Sequence, residues 1–298
     1  MSGNKVKTAI FPVAGMGTRF LPATKAVPKE LLSVIDTPLI QFAIDEARAA
    51  GIERMVFVSH PSKSAIERHV RDDAGLRASL CAKGKHDIAA QLESAALHGG
   101  DDAVRFVMQD KPLGLGHAVS CARDHVLDGP VAVILPDDLI LGGRGCLTEM
   151  IAAYDPSVAG HLVATMEVAR EETKSYGVLD VADTVGDLLH ARGIVEKPDP
   201  KVAPSCFAVV GRYILDPAIF ARLAHQTPGA GGEIQLTDAI AHDIGTVGLA
   251  GFGFAGTRFD CGSKAGMLRA TLHLAMQDPE FDDVLAEIAP RPLAMAAE

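Results

Sequence analysis

Apolar residues gather in short, nearly unbroken runs, with helical-period patterns between them. Thr8 to Phe11 is the first run, and Pro12, which removes a ladder donor, ends it. Arg54 to Ser59, Val104 to Gln109 and Val131 to Leu135 follow, rich in apolar residues as strands covered on both faces are. Leu39, Phe42, Ala43 and Ala47 recur at helical spacing, and Gly51 stops that run. Thr37 and Pro38 read as its N-cap and first helical residue. Ser64 to Val70 and Gly116 to Leu127 read as further helices. Strands alternating with helices on this spacing predict βαβ units and a parallel sheet. Residues 74–103, rich in Ala, Gly and charge, interrupt the alternation. With a helical piece from His86 to His98, they read as an insertion lying over the sheet.

Beyond about residue 155 strand-like runs dominate: Leu162 to Val168, Gly177 to Val181, Gly193 to Glu196, Phe207 to Ile214 and Val247 to Phe254. Helices are expected at Pro217 to Ala224 and Glu233 to Ile244. A longer one, Ser263 to Gln277, carries Met267, Leu268, Thr271, Leu274 and Ala275 on one face. The tail from Pro279 is loosely patterned. No repeat and no low-complexity linker divides the chain, so a single unit is expected over residues 1–298.

The stretch Val13 to Glu30, VAGMGTRFLPATKAVPKE, changes this picture from fold to chemistry. Gly15 and Gly17 allow a sharp turn and close approach to a ligand. Thr18 adds a hydroxyl, and Arg19, Lys25 and Lys29 add three cations. Exposed N–H groups, an Arg fork and Lys point charges suit a polyphosphate. The third glycine of a dinucleotide fingerprint is replaced by Phe20, and no Walker Gly-Lys-Ser/Thr is present. The residues alone give a phosphate loop of unnamed type, or an ordinary loop with solvated cations.

Charge sharpens this reading. The 298 residues carry a formal net charge of −10 and a mean hydropathy of +0.19. Nucleic acid is a disfavoured partner, and a cationic cluster in an acidic chain points to a small polyanion. No run approaches the ~18 apolar residues of a membrane span. The N-terminus lacks a secretory signal pattern, and five dispersed cysteines without C-x-x-C fit a reduced interior, so a cytoplasmic location is expected.

Three further stretches end predicted strands. Gln109 to His117, QDKPLGLGH, offers a donor and an acceptor on Gln109, as a pyrimidine edge requires, and glycines 114 and 116 against which a flat base can lie. Asp137 and Asp138 follow the run ending at Leu135. One or two carboxylates together with substrate phosphates are what Mg²⁺ prefers, and Asp138 also reads as a turn residue. Glu196-Lys197-Pro198 presents an ion pair before a proline that halts the ladder. No Ser–His–Asp order, H-E-x-x-H motif or Cys/His cluster is visible.

The first stretch, through Gly15, Gly17, Thr18, Arg19, Pro22, Thr24 and Lys29, resembles the pattern of the sugar-1-phosphate nucleotidyltransferases. In the form GTRFLPATKAVPKELL it is similar to that of the bacterial UTP–glucose-1-phosphate uridylyltransferases. The resemblance extends from residue 8 to about 275. It implies a Rossmann-like three-layer α/β nucleotidyltransferase fold with a mixed central sheet, a nucleotide-binding half to about residue 155 and a sugar-binding half from 156. It implies transfer of a uridylyl group from UTP to glucose-1-phosphate, giving UDP-glucose and pyrophosphate, with Mg²⁺ as cofactor. Thymidylyl or another nucleotidyl transfer, and a non-catalytic nucleotide-sugar sensor, are the alternatives. By the same resemblance Ala14, Gly15, Gly17, Thr18, Lys25, Glu30, Gln109 and Gly114 meet the nucleotide, with Glu30 bordering the base. Arg19 and Lys29 hold the leaving pyrophosphate, and Lys197 holds the sugar phosphate. Gly177 and Glu196 meet the sugar. Asp137 and Asp260, the latter in Phe259-Asp260-Cys261-Gly262-Ser263, hold the metal. Glu233 to Asp238 is expected to pack behind the sugar site, and a homodimer or homotetramer is expected through the C-terminal helix.

Overall fold

The apolar runs of the first half form β1 (Thr8–Pro12), β2 (Arg54–Ser59), β3 (Val104–Met108) and β4 (Val131–Ile134). All are parallel, in the order β3-β2-β1-β4. The structure, a computed structural model, describes residues 5–288 apart from 228, 230 and 231; the end of the tail lies outside them. Between β1 and β2 runs α1 (Leu39–Ala49). α2 (Ser64–Val70), α3 (Ala74–Ala82) and α4 (His86–Ala95) lie between β2 and β3, and α5 (Leu115–Cys121) between β3 and β4. Side chains alternate along β1. Ala9 and Phe11 pack with Ile40 and Ile44 of α1 on one face, and Ile10 joins Val119 of α5 on the other. Phe11, Phe57 and Phe106 stand in register across three strands, with centroids 4.7 and 5.0 Å apart.

The second half completes a nine-stranded sheet. β5 (Asp138–Leu141) leaves it, and α6 (Cys146–Ala153) leads back to β6 (His161–Glu167). β7 (Gly177–Val185) and β8 (Leu188–Glu196) form a hairpin longer than the two short runs predicted. β9 (Phe207–Leu215) lies antiparallel between β4 and β6. After α7 (Ala218–Ala224) and α8 (Leu236–Val247), β10 (Leu249–Gly253) pairs parallel with β6. The full order is β3-β2-β1-β4-β9-β6-β10-β8-β7, a mixed sheet with helices on both faces. β11 (Thr257–Asp260) pairs with β5 in a separate ribbon, followed by α9 (Lys264–Ala275) and α10 (Asp282–Ile288).

Several expectations need correction. Thr37 does not cap α1: its hydroxyl bonds Asp36, Pro38 is extended and paired with Ser33, and the helix starts at Leu39. It is the end of the 74–103 segment that meets the sheet, where Leu97 and Ala103 pack against its core. α3 buries no residue, and α4 is tied to the outer side of α1 by Arg48, whose guanidinium donates to the Ser94 carbonyl at 2.8 Å. Residues 116–127 divide into α5 and a 3-10 turn, Arg123–His125. The helix expected from Glu233 begins at Leu236, because Gln235 is extended and Ile234 is bonded to Leu113 and Gly116. Leu268, 60% exposed, lies outside the buried face of α9.

One ion pair braces the two halves. Arg212 of β9, fully buried, receives Glu46 of α1 on two nitrogens at 2.7–3.1 Å and gives a third to the Leu135 carbonyl at 3.1 Å. Glu46 also accepts the Leu147 N–H at the start of α6.

Candidate active site

The strand order creates the site. The chain runs outward from β1 to β2 and β3, then returns to β4 on the other side of β1. At such a switch point the loops diverge and leave a crevice outside the strand C-termini. The loop after β1 is the Gly15–Lys29 segment, and the one after β4 carries Asp137. Gly17 sits at φ 63°, and a Cβ there would meet Lys29 Cβ at 3.0 Å. Thr24 Oγ1 donates to the Gly17 carbonyl at 2.8 Å and closes the turn. A Cβ on Gly15 would touch only Lys29 Cε at 3.9 Å, so this face is open to a ligand. Gly15, Thr18, Arg19 and Lys25 are exposed, while Ala14 is buried beneath them. Arg19, Lys29, Asp137 and Gly262 line one cleft.

The ribbon brings the distant carboxylates together. Its register pairs Asp260 with Asp138, next to Asp137. Asp137 Oδ2 and Asp260 Oδ1 lie 2.9 and 3.0 Å from the point a Gly262 Cβ would occupy, so only glycine leaves that space clear. Lys29 Nζ contacts Asp137 Oδ2 at 2.6 Å. Burial alone would raise the Asp137 carboxyl, but Lys29 outweighs it and holds the group below its usual range; burial likewise opposes, and Asp137 overcomes, the upward shift of Lys29. Two convergent hard oxygen donors beside an anion-binding loop fit a divalent cation that completes its shell with phosphates and water. Among the described residues there is no group of three or more His, Cys, Asp or Glu that could bind a metal without such help.

Asp138 is not a turn residue. It is buried, accepts the Gly211 N–H at 2.6 Å and pairs with Arg258. Arg258 lies over the Tyr176 ring and donates to its hydroxyl at 2.9 Å. Arg258 was not singled out from the sequence, although, two positions before Asp260 on a strand, it shares its face. Together with Arg19, Asp137 and Asp260, the residues Asp138, Tyr176 and Arg258 line a cleft of about 500 Å³.

Lys197 reaches this cleft's border through Tyr176, whose carbonyl accepts its N–H at 2.9 Å. It is one of two non-glycine residues at positive φ among those described, at 47°. Its ammonium contacts Glu196 at 3.0 Å, and the other Glu196 oxygen accepts from Thr237 at 2.8 Å. A Cβ on Gly177 would make only ordinary contacts, at 3.4 Å or more, with Glu196 and Thr237. The protein does not itself require glycine there. Glu233 to Asp238 serves both ends of the cleft: Thr237 holds Glu196, and Ile234 holds the Leu113–Gly116 loop.

That loop has a reason of its own for its glycines. A Cβ on Gly114 or Gly116 would come within 2.8 Å of the Ile234 carbonyl, so the protein's own packing requires glycine at both positions. Gln109 is buried beside it. Glu30 also departs from expectation. It is fully buried, and both carboxylate oxygens accept from Lys63, at 2.8 and 3.0 Å, while Lys63 also holds the Val13 carbonyl at 2.7 Å. Its carboxylate braces the end of β1 instead of facing the crevice. Burial raises Glu30 and lowers Lys63 despite their attraction.

Comparison with known proteins agrees with this fold. The family model described as nucleotidyl transferase matches residues 8–275. A UTP–glucose-1-phosphate uridylyltransferase of Komagataeibacter xylinus is 45% identical over 87% of this chain and 90% of its own. One of Bacillus subtilis (strain 168) is 42% identical over 94% of this chain and 95% of its own. A UTP-bound UGPase from Acinetobacter baumannii superposes with a TM-score of 0.86 at 40% identity, covering 95% of this chain and 99% of that one. A UDP-glucose pyrophosphorylase complexed with UDP-glucose gives 0.80 at 35%, covering 92% and 100%. With a family match along most of its length and relatives above 40% identity over 87% or more of it, the chain belongs to the nucleotidyl transferase family.

Proposed function

We propose that this protein transfers the uridylyl group of UTP to glucose-1-phosphate, releasing pyrophosphate and forming UDP-glucose. The observation that carries the reading is the meeting of Asp137 and Asp260 beside the Gly15–Lys29 loop. The names of the relatives supply uridine and glucose. Asp137 and Asp260 would hold a divalent cation, proposed as Mg²⁺. When bound, it supplies charge neutralisation between the two phosphate-bearing substrates.

The remaining work falls to the chain. The open face at Gly15, with Thr18, Arg19, Lys25 and Lys29, binds the triphosphate and retains the leaving pyrophosphate. Lys29 moves from Asp137 to phosphate as the substrate fills the crevice. Lys197 holds the sugar phosphate for in-line attack on the α-phosphorus, with Glu196 and the bare Gly177 backbone against the hexose. A phosphate dianion is already nucleophilic, so positioning and charge stabilisation suffice. Gln109 reads the base.

The single nine-stranded sheet supports one domain with a nucleotide half and a sugar half. Exposed Leu268 and Leu272 on α9, with Met276 just past its end, support self-association as a homodimer or homotetramer. Five unpaired cysteines suit the reducing cytoplasm, and among the described residues no helix is long and apolar enough to cross a membrane. Pyrophosphate release from UTP, dTTP, CTP and ATP against several sugar phosphates tests the assignment. UTP with glucose-1-phosphate should lead; no release from that pair would overturn it.

A further inference from the structure

Gln109 does not hang free at the end of β3. Its amide nitrogen donates to the Gly114 carbonyl at 3.2 Å and contacts His117 Nδ1 at 2.9 Å. The Gly114 carbonyl can only accept, so the NH₂ end of the amide must face it. His117 Nδ1, meeting that same NH₂, must then be the accepting nitrogen. The imidazole proton lies on Nε2, which faces Cys121 Sγ at 3.9 Å, one turn along α5. Burial holds the Cys121 thiol above its usual range, so it stays neutral and can receive that proton weakly.

The consequence falls on the other end of the amide. Gln109 Oε1 accepts no hydrogen bond among the described residues, yet is not among the buried atoms left without a partner. The amide is thus fixed with its acceptor outward. Uracil offers N3–H to an acceptor; cytosine presents a lone pair at N3 and would be repelled. A freely rotating glutamine amide would serve both bases by turning over.

We propose that His117 is a positioning residue for base selection: by accepting from Gln109 Nε2 at 2.9 Å it reinforces the longer bond to the Gly114 carbonyl, holds the amide carbonyl toward the nucleotide and so favours uracil over cytosine. This rests on the reading of Gln109 as the base-contacting residue. His117 itself touches neither substrate nor reacting atoms.

The test compares kcat/KM for UTP and CTP, with glucose-1-phosphate as acceptor, in the parent, His117→Leu, His117→Asn and Gln109→Ala. His117→Leu, which removes the acceptor, should lower the UTP-to-CTP ratio about tenfold, the scale of one misplaced hydrogen bond at a buried edge. His117→Asn can offer a carbonyl oxygen near the place of Nδ1 and should restore most of the ratio. In a Gln109→Ala background, His117→Leu should change it no further. Where His117→Leu does not fold, His117→Ala replaces it. A water in the space left can donate or accept, so only the 3.2 Å bond to the Gly114 carbonyl then opposes the turned-over amide, and the same fall is expected. A parent ratio kept in both His117→Leu and His117→Ala, while Gln109→Ala collapses it, would overturn the role of His117. A ratio unchanged in Gln109→Ala would place base reading elsewhere and remove the proposal, while UTP turnover by the parent would leave the proposed function standing.

Discussion

Replacing Lys197 separates what its side chain does from what its backbone costs. A side chain at φ 47° is in the left-handed region, and the following Pro198 narrows its choices further. The conformation costs roughly 1–2 kcal/mol for any L-residue with a Cβ. Lys197→Ala keeps that cost; Lys197→Gly removes it. Glycine's extra freedom in the unfolded chain returns roughly 0.5–1 kcal/mol. The lost ion pair with Glu196 matters little, since the Lys197 side chain is 58% exposed. Lys197→Gly should therefore unfold about 0.5–1 kcal/mol later than Lys197→Ala, a shift of roughly 1–3 °C. Both variants should lose the same function. Removing a charge-assisted contact should weaken glucose-1-phosphate and UDP-glucose by about 1.5–3 kcal/mol, ten- to a hundredfold, with a modest effect on UTP. Denaturant unfolding and calorimetry on the three proteins measure both quantities. A glycine variant less stable than the alanine one would show that the side chain does not strain this backbone. Undiminished sugar-phosphate binding in either would show that the ammonium points elsewhere.

Three further outcomes are expected. Arg19→Ala should damage the UTP reaction and its reversal with pyrophosphate while leaving UDP-glucose binding nearly intact, and equal losses for all three ligands would erase the pyrophosphate site. Asp137→Asn should abolish turnover while the fold survives, near-normal pyrophosphate release at millimolar Mg²⁺ being the contrary result. Because the folded Asp137 carboxyl is depressed, its contribution to stability is present above the ordinary aspartate value of 3.8 and lost as pH falls through the lower folded value; the variant should show a smaller loss there in acid melts. Glu46→Gln leaves the Arg212 guanidinium, 1% exposed, without its counter-charge and should cost about 3–5 kcal/mol in denaturant unfolding, whereas a change under about 1 kcal/mol would mean that Leu135 and water suffice to hold it.

The parallel half of the sheet was legible because each of its strands is a short apolar run bounded by Gly, Pro or polar residues. The phosphate loop was legible because glycines and cations crowd into one stretch. The pairing of Asp137 with Asp260 was not, since it depends on the register of β5 against β11, which neither strand's pattern reveals. Glu30 deceived for a related reason. Its carboxylate sits among loop cations in the sequence, but the cation it meets, Lys63, comes from the end of β2. That Gly114 and Gly116 also make room for Ile234, more than a hundred residues later, was not legible either. Contacts between segments far apart in sequence carry no local signature.

With Asp137 and Asp260 as the proposed metal pair, the ribbon also sets when the protein becomes an enzyme. Asp137 leaves the ribosome with the nucleotide half, but its partner carboxylate follows ~120 residues later, a delay on the order of ten seconds at ~5–20 residues per second. Over that interval the nascent chain carries a phosphate loop whose Lys29 can neutralise the lone Asp137, and no second carboxylate to trap a cation beside it. Capacity for chemistry thus arrives with β11, after every strand of the main sheet has been made. A chain cut short before that point lacks one of the two proposed metal ligands and should be unable to act on a nucleotide.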